Sequence, residues 1–516
     1  MRKRNSIINA FVALFVNAIV VVVNFILQSI FIKKLGVELL GLNSVFSNIL
    51  TMLGVVELGF GSAIIFHLYQ AVGDNNDETI ASLMNFYKKV YNIIAIIVFI
   101  LGIGLMPFLN LFIGDNNLTI SIHIAFLLLL LDQVFSYLLS YKRSIIIALQ
   151  KNYIIDTCHV GCILLSGAIN YFVIIIFKNY YVYLVVKIVF RLIENLFISF
   201  EANHLCPCIL KKKVKPLDKK IVHNLKKQVK GLLFHSFGTF MVNGTDNILL
   251  SKFFGLYISG LISNYVMITG TITTLLSQAI NAMVGSIGNL VAENNKEHTY
   301  ITFRRMLYLI NFLYSYVSIS IFYLSNLFIE IWLGKNYVIN QYIILSICIC
   351  FYSLGIKSFY MLFKKTSGIF YEDKYVPIIE AIVNICFSVC LLKIIGPSGI
   401  YIGTIVSHLS LYIFSFPKFL YKRLFNQNIK RYICDLAKNF ALYVILFFIT
   451  ESIVNYCNLN ANIFLQFILK GFLILIVNIS VYIIFTFNYQ EFKYYQNIIK
   501  NLFSFKHKNR IKNNNT

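Results

Sequence analysis

From residue 7 to residue 487 the chain is an almost unbroken succession of apolar stretches long enough to cross a lipid bilayer. A hydrocarbon core of about 30 Å takes about 20 helical residues to span. Fourteen such segments are read, near 7–32, 42–72, 82–113, 119–149, 153–177, 180–203, 229–254, 257–291, 301–333, 338–363, 370–395, 398–421, 433–456 and 462–487. Several exceed a minimal span, which implies tilt or extension beyond the membrane. The expected fold class is therefore an all-α polytopic membrane protein. Composition agrees. Of 516 residues 58% are hydrophobic and 13% charged, whereas soluble domains carry about a quarter charged residues. The opening MRKR precedes a long apolar run without a small-residue cleavage site, and reads as a retained first helix.

A formal net charge of +24 raises the question of nucleic acid. The Lys and Arg residues instead sit at the ends of apolar runs, and no soluble basic domain carries them, so no nucleic-acid partner is expected. With a cytoplasmic N-terminus, the inner loops hold Arg2, Lys3 and Arg4; Lys88 and Lys89; Lys142, Arg143 and Lys151; and the Lys211–Lys230 cluster. They also hold Lys296, Arg304 and Arg305; Lys364, Lys365 and Lys374; Lys422, Arg423, Lys430 and Arg431; and the basic tail. The outer loops hold only Lys33, Lys34, Lys178, Lys252, Lys335 and Lys393. That asymmetry puts both termini in the cytoplasm and calls for an even number of spans. Ten cysteines lie mostly within apolar segments, as at Cys158/Cys162 and Cys386/Cys390, where they read as packing residues. Cys206 and Cys208 lack the second ligand pair of a zinc site.

The longest inner connection contains KKKVKPLDKKIVHNLKKQVKG, in which Ile221, Leu225, Val229 and Leu232 recur at helical spacing among lysines. This is the pattern of an amphipathic helix on an anionic leaflet. It divides two sets of segments that repeat each other. GVELLGL (36–42) matches GLYISGL (255–261), and LFIGDN (111–116) matches IWLGKN (331–336). YKRS with LQKNY (141–153) matches FKKT with YEDKY (363–375), again about 220 residues on. The expected organisation is an N-terminal lobe (1–205, helices 1–6), a basic linker (206–230) and a C-terminal lobe (231–425, helices 7–12). Two extra helices (426–490) and a basic cytoplasmic tail (491–516) follow. Six spans per lobe make this a parallel repeat, a construction used by transporters that hold substrate at the bilayer midplane.

With Gly-x4-Gly between the first two helices of each lobe, the chain resembles the MOP exporter superfamily, and within it the polysaccharide exporters, the O-antigen-type repeat-unit flippases. The residues that carry the resemblance are KKLGVELLGLNSVFSNIL (33–50), VVELGFGSAI (55–64), TDNILLSKFFG (245–255) and GPSGIYIGT (396–404), and it covers residues 7–425. It implies a flippase that moves undecaprenyl-pyrophosphate-linked oligosaccharide across the bacterial cytoplasmic membrane by alternating access. It also implies glycan polymerase and glycosyltransferases as partners. The helices near 433–456 and 462–487 go beyond the simplest pattern; in related lipid II flippases such a pair forms a groove for the lipid tail.

Charges at membrane depth cost at least about 2.5 kcal/mol each, so every one needs a reason. In KIVFRLIENLF (187–197), Lys187, Arg191, Glu194 and Asn195 share one helical face. Arg191 lies about 17 Å into its segment at 1.5 Å per residue. One reading is an Arg191–Glu194 pair that neutralises itself. The other is a cationic wall for a pyrophosphate or acidic sugar, with Glu194 orienting Arg191 and Lys187 left as a point charge. Lys357 is the matching candidate in the second lobe. Glu57, Asp132 and Asp246 are candidates for coupling to a proton or sodium gradient; the alternatives are ion pairs with Lys187 or Arg191, or hydrogen bonds at a helix break. Glu380 and His408 are weaker candidates, and His235 reads as a core histidine. Asn24 and Asn243 occupy matching places in the repeat and suit either sugar hydroxyls or helix–helix hydrogen bonds. Tyr265, Tyr308, Tyr314 and Tyr316 suit packing or sugar stacking.

No G-x4-GK-[ST] motif is present, and no metal or organic cofactor is expected. Two other functions compete. A cation-coupled multidrug exporter would favour an acidic cavity, whereas Lys187, Arg191 and Lys357 are basic. A membrane glycosyltransferase or polymerase would need a substantial outer loop, and the outer loops here are short.

Overall fold

Five helices begin on an asparagine whose side chain accepts a backbone N–H of the first turn: Asn76, Asn179, Asn295, Asn340 and Asn462. Such caps satisfy donors that no helix can satisfy internally. The computed structural model describes residues 2–57, 60–114, 118–210, 217, 238, 241–242, 244–369, 373, 375–457 and 462–513. Among these, every regular element is helical.

The chain forms two compact units. The first comprises Met1–Asn264 and Pro377–Ile385. It holds α1 (Arg2–Leu35), α2 (Val37–Leu53), α3 (Phe60–Gly73), α4 (Asp77–Leu105), α5 (Ile122–Tyr137), α6 (Tyr141–Ala148), α7 (Asn152–Ile176), α8 (Tyr180–Leu205) and the start of α9 (Asp246–Ala282). The second comprises Tyr265–Val376 and Cys386–Thr516. It holds the rest of α9, α10 (Val284–Ala292), α11 (Lys296–Trp332), α12 (Gln341–Thr366), most of α13 (Val376–Ile395) and α14 (Ser398–Ser410). A π-helical stretch (Leu411–Leu424) follows, then α15 (Ile429–Tyr456), α16 (Ile463–Thr486) and α17 (Gln490–Asn513). The expected linker at 206–230 falls largely outside the described residues.

Among the described residues ten helices are long and apolar enough to cross a membrane, and the bent pair α5–α6 makes eleven. The protein is thus an all-helical, multi-pass membrane protein. Three of the fourteen segments read from sequence account for the difference. Segment 42–72 is divided between the shorter α2 and α3. Segment 180–203 forms the 26-residue α8, whose charges set it apart from the purely apolar spans. Segment 229–254 lies mostly outside the described residues.

The glycines of the first repeat adopt the same backbone. Gly36 has φ 96° and ψ 161°, and Gly255 has φ 80° and ψ 169°. Only glycine takes that region without strain, so each one redirects the chain between two helical segments. The second glycines, Gly41 and Gly260, face each other within the first unit. A Cβ on Gly41 would lie 2.1 Å from the Leu256 carbonyl oxygen, and one on Gly260 would lie 2.2 Å from that of Val37. Beside them the hydroxyls of Ser44 and Ser263, 219 residues apart, are hydrogen-bonded at 2.9 Å.

The second unit is packed with rings. Phe303 meets Phe359, Tyr360, Phe363, Tyr421 and Phe425 at centroid distances of 4.8–6.0 Å. Three of these contacts are edge-to-face, a geometry that adds to the burial of large apolar area. Its buried charges are paired: Lys364 donates to Asp373, which also accepts from Ser415 at 2.7 Å. Asp435 accepts from Tyr300 at 2.6 Å and Tyr421 at 3.0 Å.

Candidate functional site

The charged face of α8 meets a broken helix. α5 and α6 are bent by 41° at residues 138–140, where Leu139 takes a φ of 66°. Breaking a helix inside a membrane frees carbonyls that have no water to turn to. Asn195 supplies the donors, bonding the Phe135 carbonyl at 2.8 Å and the Leu138 carbonyl at 3.1 Å. The break also puts Asp132 on one segment and Arg143 on the other, each level with a different part of α8.

Two charge clusters result. In the first, Asp132 accepts from Arg191 Nε at 3.4 Å through Oδ1 and meets Lys187 Nζ at 3.5 Å through Oδ2. One carboxylate thus faces two cations. The Asp132 side chain is 11% exposed, against 29% for Arg191 and 40% for Lys187. Among the described residues no acceptor engages the terminal Nη atoms of Arg191. In the second cluster, Arg143 Nη2 donates to Glu194 Oε1 at 2.7 Å and to Asn195 Oδ1 at 3.1 Å. His159 Nδ1 lies 3.2 Å from the same Glu194 oxygen. One turn further along α8, buried Lys142 donates to Ser199 at 2.6 Å and Asn203 at 3.0 Å.

This corrects the pairing expected along α8. Glu194 neither neutralises nor orients Arg191; it belongs to Arg143 and His159. The reason is that α8 packs against both halves of a broken helix, so each charge finds its partner on a neighbouring segment. For Asp132 the ion-pair alternative is the arrangement observed. Lys142 and Arg143, counted above with the inner loops, are helix residues with partners inside the unit.

The other candidates lie elsewhere. Glu57 ends a short 3-10 turn after α2 and is hydrogen-bonded by Tyr91. Asp246 opens α9, and its buried Oδ1 has no hydrogen-bond partner among the described residues. Asn24 is exposed on α1, and Asn243 lies outside the described residues, as does His235. Lys357 sits on α12 in the second unit, where its charge acts on His408. The His408 Nδ1 is 2.8 Å from the Ser353 hydroxyl. Among the described residues no group of three or more His, Cys, Asp and Glu is placed to hold a metal. Sequence reasoning missed Arg143, His159 and the buried Lys142. The available signal was two adjacent cations within the apolar segment 119–149.

No family model and no curated protein sequence matches the chain. Solved structures do. The lipid II flippase MurJ, in an inward closed conformation, aligns with a TM-score of 0.64 at 16% identity, over 93% of this chain and 99% of its own. The fold is that of the MOP exporters. A multidrug resistance MATE family transporter of the MOP superfamily, inward-facing, aligns at 0.58 and 11% identity, over 78% of this chain and 94% of its own. A MATE transporter from Vibrio cholerae aligns at 0.52 and 13% identity over the same shares. Within the MOP fold, the MurJ match takes in more of this chain than either MATE match.

Proposed function

We propose that the chain is a flippase for undecaprenyl-pyrophosphate-linked oligosaccharide repeat units. It carries them from the inner to the outer leaflet of the bacterial cytoplasmic membrane by alternating access, for cell-surface polysaccharide synthesis. Both termini face the cytoplasm, where glycosyltransferases supply the substrate; a glycan polymerase takes it up outside. The reading rests on one observation: Lys187 and Arg191 share a single carboxylate on a helix at membrane depth. The cationic excess suits a pyrophosphate, and the open Nη edge of Arg191 suits two of its oxygens. Asp132 offsets the cost of two cations in the membrane while the site is empty. Its contacts of 3.4 and 3.5 Å are loose enough for an incoming anion to replace them, and Asp132 reclaims the cations on release. The MurJ fold match over nearly the whole chain adds support. No covalent step is involved.

Deleting the gene should leave lipid-linked repeat units on the inner leaflet and strip glycan from the surface. Normal surface glycan in the deletion strain overturns the proposal. One observation favours a second reading, a multidrug exporter driven by protons or sodium: the buried Oδ1 of Asp246, without a partner among the described residues, is a ready ion ligand, and MATE transporters share the fold. If that reading holds, Asp246→Asn abolishes ion-driven efflux in proteoliposomes. If the flippase reading holds without coupling, the same variant moves lipid-linked glycan normally.

A further inference from the structure

A cavity of 440 Å³ opens in the second unit, lined by Lys296, Glu297, Tyr300, Arg304, Arg305 and Arg431 among others. Its walls come from the start of α11, the turn that follows the π-helical stretch, the start of α15 and the start of α17. Four spans separate Lys296 from Leu424, and two more separate Ile429 from Gln490. Even counts return the chain to the same membrane face each time. By the distribution of Lys and Arg that face is cytoplasmic.

The cations there are of two kinds. Arg304 is committed: its Nη2 meets Glu491 at 2.7 Å and its Nε lies 4.0 Å from Asp435. Arg305 and Arg431 are held differently, by rings. The Arg305 guanidinium lies 3.7 Å over Tyr494, and that of Arg431 lies 5.2 Å over Tyr300. A cation–π contact restrains a guanidinium while leaving its N–H groups available. Among the described residues, no carboxylate lies within ion-pair distance of Arg305, Arg431 or Lys296. Three cations without a counter-ion therefore face two lining carboxylates, Glu297 and Glu491, of which Glu491 is paired through Oε1 with Arg304. Bidentate N–H edges held in place around a polar cavity match a phosphate group.

We propose that this cavity binds the headgroup phosphate of an anionic lipid of the inner leaflet. Arg305 and Arg431 supply the forks and Lys296 a third charge, while Arg304 and Glu491 hold α17 in place as one wall. The site is separate from the α8 clusters, and its test reads binding alone, so it stands or falls independently of the transport reading. The full-length protein in detergent is mixed with phosphatidylglycerol, and retained lipid is counted by native mass spectrometry. Arg305→Gln and Arg431→Gln should each weaken retention about tenfold, which corresponds to about 1.4 kcal/mol. Arg431→Lys, which keeps the charge and loses the fork, should fall between. If a glutamine variant fails to fold, Lys296→Gln at an exposed position gives the same reading with a smaller drop. Inorganic phosphate serves as the competing probe. Retention unaffected by millimolar phosphate supports a lipid source. Phosphate binding with the same variant dependence, without lipid retention, overturns that source. Equal retention by wild type and variants overturns the site.

Discussion

Two charge clusters lie one turn apart on α8, and they are built for opposite ends. The Arg143–Glu194–His159 cluster is closed: its contact is short at 2.7 Å, its carboxylate side chain is 4% exposed, and Asn195 ties it to the helix break. The Lys187–Arg191–Asp132 cluster is open. Its contacts are longer, its cations outnumber its carboxylate, and they keep exposed surface. A closed pair adds little net stability, yet becomes expensive to break because the survivor is left charged and desolvated. An open pair tolerates exchange of one anion for another. The difference separates a charge that supports architecture from one that can meet a ligand.

The comparison is broken most severely at Glu194. Glu194→Ala should leave Arg143 without its counter-ion and cost about 3 kcal/mol, seen as a lower melting temperature and poor yield in detergent. A variant that melts like wild type would show that the closed cluster is not architectural. Next comes Arg191→Leu, which should lower glycan-lipid flipping ten- to a hundredfold, the loss of about 1.5–3 kcal/mol from charge-assisted hydrogen bonds. Its melting temperature should hardly move. Normal flipping by Arg191→Leu would sink the cationic-wall idea. Asn195→Ala should cost about 1–2 kcal/mol by unsatisfying carbonyls at the break. Its effect on flipping should follow the lost folded fraction and nothing more. The smallest effect is expected from Lys187→Gln, which leaves Arg191 and Asp132 as a one-to-one pair. Flipping should drop a fewfold and depend less on salt than in wild type, since an exposed charge is screened.

Much of the fold was legible because bilayer thickness dictates segment length, and apolar runs report it directly. The Gly-x4-Gly repeats were legible for a related reason. A backbone at positive φ and a backbone in contact with another backbone both exclude side chains, so the constraint is written as glycine. The α8 cations were legible as anomalies in an apolar helix, and an ion pair with Asp132 was among the readings they allowed. Their final pairing was not, because the break that decides it carries no proline or glycine. Ser136–Ser144 reads SYLLSYKRS, and only the distant Asn195 satisfies the carbonyls it frees. For the same reason Lys142 and Arg143 read as ordinary basic residues of an inner loop. Where a local irregularity is stabilised by a residue 57–60 positions away, no local signal announces it.

The mutual contact of Gly41 and Gly260 limits how the two matching segments around them can change over time. After a duplication, two halves ordinarily drift apart, with a larger residue in one offset by a smaller residue in the other. Here each position already holds the smallest residue there is, and each presses on backbone contributed by the other segment. A methyl group gained on either side has no compensating change opposite it. At this one crossing the two segments can diverge in everything around the glycines and still be unable to part with either.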